Sequence, residues 1–514
     1  MPRLHPALRP LGLALASLGT ALLLAPASAS AQGLSASRVW QYDHANTGVA
    51  GQKAEIVAFD AVTDTLWVAG VKGVDVLSRS TGGLVQHIDV SGFGTINSVA
   101  IHNGVAAFAI ENSVTRTSPG SVVFFDTATR TQSGAALTVG ALPDMLTFSP
   151  DGSRVLVANE GTPTGGLDPV GGVSIIDVAS RTVNTVNLDP SIPGYGSLRQ
   201  FPTSGSTPTR PKFSPMDPEP ESIAIDKSGT RAYVTLQEAN GLAVLNLQTQ
   251  SFEKIVGLGL KDFSLPGNAI DPHDQEGRIE LRNAPVKGLY QPDGIAAYES
   301  GGKTFLVMAN EGDAREDEAD ERRGSAGNAS IELVPEGSDL SRLILSNVES
   351  VRGDLVTFGG RSFSIRDTDG QLVYDSGDLL DREAIARGLY DDGRSDNKGV
   401  EPEGVALLDI EGRTFAFIGL ERTTTAATAV FDITDPTQVS FIDFIVGQGD
   451  RAPEGLTGFK VGNDYYLAVA NEAIDGVAGT TSLFQLSPVP EPSTYALMAG
   501  GLLALGAFAR RRKA

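Results

Sequence analysis

From about residue 34 onward the chain alternates short apolar runs with polar breaks. Runs rich in Val, Ile, Phe, Tyr and Thr are bounded by Gly, Pro, Asn and Asp, and no long helical period appears. Five stretches share one grammar: an acidic residue after or near proline, an apolar strand, a turn, and a second strand ending in a carboxylate. They start at Leu142, Pro218, Gln291, Glu401 and Ala452. Two weaker copies precede them, residues 54–59 with 65–69 and residues 96–101 with 105–111, which makes seven in all.

Most copies continue into a third strand with an Asp near its end, as at Asp126, Asp177 and Asp432, and a fourth strand follows, as at 181–188 and 251–256. Where no insertion intervenes, the spacing from Glu111 to Glu160 and from Glu421 to Glu472 is about fifty residues, near one propeller blade. The pattern predicts an all-β fold, a seven-bladed β-propeller with four antiparallel strands per blade, over residues 34–488 as one domain. The last copy stops after its third strand, at 481–486. An orphan strand at 38–42 is expected to supply the missing outer strand, close the ring and remove an exposed edge. Three insertions, residues 190–217, 261–286 and 312–349, read as polar excursions that either cover a site or form mobile surface.

In an antiparallel pair, the start of the first strand and the end of the second lie at the same end. The starts carry Asp144, Glu221, Asp293, Glu403 and Glu454; the ends carry Glu160, Glu238, Glu311, Glu421 and Glu472, with Asp313 just beyond. Because the first strand of a blade lines the channel, these carboxylates should gather at one mouth. Crowded carboxylates need protons, cationic partners or bridging ions. Hard oxygen-binding ions such as Ca²⁺ or another divalent cation meet that need. Capping of backbone N–H groups, or pairing with Arg315, Arg394, Arg422 or Arg451, is the competing expectation. A weaker candidate is the acidic loop holding Asp271, Asp274 and Glu276, whose spacing departs from the EF-hand pattern. Residues 391–398 lead directly into the Glu401 repeat and should arrive on the same face.

Composition narrows the chemistry. Among 514 residues the formal net charge is −22, which argues against nucleic acid as a partner, and there is no cysteine. Disulfides, thiolate zinc sites and cysteine nucleophiles are excluded. His44, His87, His102 and His273 sit in no nucleophile frame and read as surface or loop residues. No P-loop, dinucleotide fingerprint or zinc-protease helix is present. If the chain is an enzyme, metal-assisted hydrolysis is what its residues permit.

Both termini read as targeting segments. Arg3 and Arg9, an apolar run at 11–24 and Ala-x-Ala sites ending at Ala29 and Ala31 predict a signal peptide over 1–31. At 489–514, Pro490-Glu491-Pro492, an apolar segment at 495–509 and a cluster at Arg510-Arg511-Arg512-Lys513 resemble the PEP-type sorting signal of Gram-negative bacteria. That resemblance implies export across the inner membrane, transient anchoring by the tail, processing by an exosortase-type enzyme, and release to the cell surface or medium. A permanent anchor is the alternative.

The repeats themselves resemble the choice-of-anchor I family, through the stretches 142–146, 309–315, 360–365, 394–399, 419–422 and 470–472. The resemblance implies a propeller. Some members are similar to atypical alkaline phosphatases and to calcium-dependent propeller phytases, others to cell-surface glycoproteins, and no catalytic motif carries over residue by residue. The expected function is a cation-binding recognition or extracellular-matrix component that meets polysaccharide or another surface protein. The alternative is a metal-dependent phosphoester hydrolase, alkaline phosphatase or phytase-like.

Overall fold

A computed structural model describes residues 33–164, 167–199, 218–315, 320–325, 333–474 and 476–489. The predicted signal peptide, the sorting tail from 490 and residues 200–217 of the first insertion lie outside the described residues. Among those described, no helix is long and apolar enough to cross a membrane.

The repeat grammar becomes a run of antiparallel sheets whose strands lie side by side in chain order. Val57–Asp60, Thr65–Gly70, Gly73–Ser78 and Leu84–Asp89 form one; Pro143–Phe148, Arg154–Asn159, Gly172–Asp177 and Val183–Asn187 form another. Seven antiparallel sheets of this kind occur among the described residues, one with a short fifth strand and one whose outer strand comes from the beginning of the described chain. The fold is all-β and of the β-propeller kind, and among the described residues one α-helix, Leu379–Ala386, lies in a connection. The Asp at the end of the third strand builds the following turn. Asp126 accepts the Thr129 N–H at 2.8 Å and Asp177 that of Ser180 at 2.7 Å, with Arg130 and Arg181 left-handed at φ 56° and 60°.

Apolar residues of the middle strands pack between successive sheets. Trp67 and Val76 meet Phe108 and Val123, and Leu156 and Val173 meet Val234 and Ala243. The same holds between the last sheet and the first, where Tyr466, Ala468 and Leu483 pack with Leu66, Val68 and Leu77. The orphan strand is Gly33–Asp43. It pairs antiparallel with Thr480–Val489, from Gly33↔Val489 to Asp43↔Thr480, as the pattern predicted.

His44, expected at the surface, is instead fully buried directly after this strand. Its Nδ1 lies 2.6 Å from Asp75 and its Nε2 2.8 Å from Thr481 Oγ1, while His87 Nδ1 lies 2.6 Å from the other Asp75 oxygen. With both ring nitrogens partnered, His44 ties the strand before it to those of Asp75 and Thr481, and this non-local arrangement left no local trace.

Two insertions read as polar excursions hold structure. Leu260–Asp262, Val286–Leu289, Leu355–Thr357, Ile344–Ser346 and Glu321–Arg323 form an eighth, mixed sheet, with Val286–Leu289 parallel to Leu355–Thr357. Phe263, Ile270, Leu343, Leu345 and Leu355 give it its own apolar cluster. Its strands are three or four residues long, too short to show a period in sequence.

Candidate functional site: a carboxylate-lined mouth

The acidic motif is built by backbone geometry. Leu142, Gln291, Glu401 and Ala452, each just before the motif proline, are left-handed at φ 44–50°. Their carbonyls then accept the N–H at the end of the second strand: Leu142 from Glu160 at 2.9 Å, Gln291 from Gly312 at 3.1 Å, Glu401 from Glu421 at 3.0 Å and Ala452 from Glu472 at 2.8 Å. This draws the two acids of one repeat together. An extra residue is also inserted in the first strand, since Pro143 pairs with Asn159 but Leu146 with Val157. The same offset occurs where Pro220 pairs with Leu236 but Ile223 with Val234, and where Pro402 pairs with Leu420 but Val405 with Ile418. Such bulges re-aim a side chain, here Asp144, Glu221 and Glu403.

The glycine after the acid has a steric cause. A Cβ on Gly294 or Gly404 would lie 2.3 or 2.0 Å from the carbonyl oxygen of Glu403 or Glu454 in the next sheet, and one on Gly455 would lie 2.3 Å from that of Glu55, just before the Val57–Asp60 strand. In the Ala-Asn-Glu ends, the Asn is structural. Asn159, Asn310 and Asn471 are buried and donate to Ser174, Ser362 and Thr480 of the third strand at 3.0, 3.2 and 3.2 Å.

Eight of the predicted residues line one cavity of about 490 Å³: Asp144, Glu221, Asp293, Glu311, Asp313, Glu403, Glu421 and Glu454. A second cavity, about 620 Å³, runs along the first strands and shares Asp144, Asp293, Glu403 and Glu454 with it. Glu160 and Glu238 are not in that lining but are near enough to raise Glu221 by their charge, and Glu472 pairs with Lys53 at 2.5 Å. The residue pattern missed Glu401 and Glu321 as members of the mouth, and Glu55 and Glu111 in the channel. Glu55 and Glu111 belong to the two copies without a motif proline, and Glu321 arrives on the eighth sheet. The loop at 391–398 does reach this face, bringing Arg394, Asn397 and Lys398.

The mouth is electrostatically crowded. Burial, then a neighbouring carboxylate, holds Glu221, Asp293, Glu403 and Glu454 well above the usual range; the neighbours are Glu160, Glu311, Glu421 and Glu55 respectively. Burial and Glu311 push Glu421 up to about 8, burial and Glu472 push Glu55 to about 8, and burial and Glu111 push Asp144 to about 6. One oxygen each of Glu403 and Glu454 is buried without a hydrogen-bond partner among the described residues.

Cations offset one side of the mouth. Lys398 Nζ lies 3.0, 3.1 and 3.2 Å from Glu311, Asp313 and Glu401. Arg394 reaches Glu401 at 2.6 Å and Arg422 reaches Glu421 at 2.8 Å, so two of the four expected arginines pair within the mouth. Arg315 lies instead 3.5 Å from Glu219.

Among the described residues, two groups offer three carboxylate oxygens within 4.8 Å of one another: Asp293–Glu311–Glu403 and Glu311–Glu401–Glu421. Oxygens that close match the 2.3–2.6 Å shell of Ca²⁺. The weaker loop is in neither group. Asp274 is held by both forks of Arg342, Glu276 by Arg282 at 3.0 Å, and Asp271 accepts the Glu280 N–H at 3.0 Å.

Comparison with known proteins bears on family and address. The PEP-CTERM protein-sorting motif matches residues 488–513, which marks an exported, surface-directed protein with a carboxy-terminal tail subject to exosortase processing. The Mesenchyme-specific cell surface glycoprotein of Strongylocentrotus purpuratus is 24% identical over 343 residues, covering 53% of this chain and 41% of that protein. The match therefore spans well under half of that relative's length. Kuenenia stuttgartiensis Hydrazine Synthase superposes with a TM-score of 0.46 at 11% identity, over 82% of this chain and 94% of that one. The Myceliophteria thermophila Cps50 (Swd1) beta-propeller domain gives 0.44 at 10% identity, over 85% and 97%. The Choice-of-anchor I domain matches residues 55–436, which hold all but one of the acidic repeats, and the chain belongs to that family.

Proposed function

We propose that this protein is a seven-bladed β-propeller, closed by its amino-terminal strand, whose mouth binds a divalent cation, Ca²⁺ by preference. It would be exported across the inner membrane of a Gram-negative bacterium and held by its tail until an exosortase-type enzyme cuts. It then acts at the surface as a recognition or matrix component that meets polysaccharide or another surface protein. A closed ring of seven is supported by the first strands, which neighbour one another in a cycle. Val57–Asp60 lies against Ile96–His102, and the contacts continue through Pro143–Phe148, Pro220–Ile225, Ile295–Ser300, Pro402–Ile410 and Pro453–Val461 back to Val57–Asp60. A relative named for the cell surface supports the address.

The observation that carries the cation reading is the Asp293–Glu311–Glu403 group, with one Glu403 oxygen buried and unpartnered. A divalent ion there would relieve the like-charge repulsion that otherwise keeps protons on these groups. The test is calorimetric titration of the purified protein with Ca²⁺, paired with its melting temperature in chelator. Stabilisation of about 3 kcal/mol is expected at a hundredfold excess over Kd. No heat of binding together with an unmoved melting temperature would sink the proposal. A second reading, metal-dependent phosphoester hydrolysis, draws on Arg422, part-exposed at the rim beside the carboxylates. Calcium-dependent turnover of an aryl phosphate would favour it over binding alone.

A further inference from the structure

Of the two three-carboxylate groups, one already holds a positive charge supplied by the chain itself. The Glu311, Glu401 and Glu421 side chains are all buried, and the Lys398 ammonium lies against Glu311 and Glu401 of this group and against Asp313, while Glu421 pairs with Arg422. An ammonium has three N–H donors. Nζ donates to Glu311 at 3.0 Å and to Asp313 at 3.1 Å and lies 3.2 Å from Glu401, so three carboxylates face its three N–H groups. Lys398 is 7% exposed, and burying an ammonium costs several kcal/mol unless anions surround it.

The lysine is also held in place from behind. Arg361, 1% exposed, donates through Nη2 to the carbonyls of Ser395 at 2.8 Å and Asn397 at 2.7 Å, and through Nη1 to that of Asp271 at 3.2 Å. The Val400 N–H donates to Asp381 at 3.3 Å. Gly399 is left-handed at φ 70°, and a Cβ there would lie 2.8 Å from Asp381. A surface lysine that merely swings inward needs no such mount.

We propose that Lys398 is a resident cation: its ammonium permanently fills the Glu311–Glu401–Glu421 seat, so that the mouth takes an exogenous ion only on its Asp293–Glu403 side. The inference rests on the mouth being a cation seat, as proposed above. A tethered charge cannot be removed by chelators or diluted away. That side of the mouth, including the edge of the eighth sheet that brings Glu321, therefore stays assembled where free ions are scarce.

The test compares ion stoichiometry in the full protein, using Ca²⁺ calorimetry and Tb³⁺ luminescence, for the native chain, K398A and K398A/E421Q. K398A should bind one ion more per chain than the native protein, and the double variant should lose that gain. If K398A folds only when Ca²⁺ is supplied, the ion has replaced the ammonium and the proposal stands. If K398A stays unfolded in Ca²⁺, or folds with unchanged or lower stoichiometry, it falls. A native chain that binds no ion beside a K398A that binds one would overturn the proposed function but keep the resident cation. The reverse pattern would do the opposite.

Discussion

Replacing Glu421 by Gln should stabilise the metal-free protein at neutral pH, although it removes a carboxylate that pairs with Arg422. Burial, then Glu311 and Glu401, push this carboxyl up to about 8 from an ordinary 4.5, even with Arg422 and Lys398 pulling the other way. Between those two values the folded state keeps a proton that the unfolded chain has released. The native state then binds more protons, so stability falls as pH rises from 4.5 towards 8. At pH 7 the gap to 4.5 corresponds to about 3 kcal/mol at roughly 1.4 kcal/mol per pH unit. A glutamine has the shape of the protonated acid and avoids that cost. Urea unfolding of E421Q and native protein, in chelator, should differ by up to about 3 kcal/mol at pH 7 and by almost nothing at pH 4. A variant that is less stable at pH 7, or a difference that persists at pH 4, would refute a charge-crowded mouth.

Three further outcomes follow from the same geometry. D293N/E403Q should weaken Ca²⁺ binding by at least about tenfold, or 1.4 kcal/mol, with an unchanged circular dichroism spectrum; undiminished affinity would remove those residues from the seat. G404A places a Cβ 2.0 Å from the backbone oxygen of Glu454 and should cost about 3 kcal/mol in urea unfolding, whereas native-like stability would mean that adjacent sheets do not meet there. Deleting residues 33–43 leaves Thr480–Val489 as a bare edge, and should lower the melting temperature and promote association on size-exclusion chromatography; a monomer with unchanged melting would contradict its role as closing strand.

Much of the mouth was legible because repetition fixed it. Once Pro143-Asp144 and Glu160 are read as one unit, Pro402-Glu403 and Glu421 follow by the same spacing, and the antiparallel pair brings each couple to one end. Glu55 escaped because no proline marks its copy, and Glu321 because its strand is only three residues long. The aspartate at the end of each third strand was visible as a pattern, but its role in the turn emerges only from the Thr129 and Ser180 donors.

Alternation and repeat spacing alone determined strand content, the unit of four strands and the end of each unit at which acids collect, because these depend on contacts between near neighbours in the chain. Tertiary structure decided which of the acids share a cavity, that His44 is an internal tie, and that two insertions make a sheet. It also decided that Lys398 lies among Glu311, Asp313 and Glu401. These are meetings of residues far apart in sequence. Their energetics are set by burial and mutual charge, which no local pattern of residue types records.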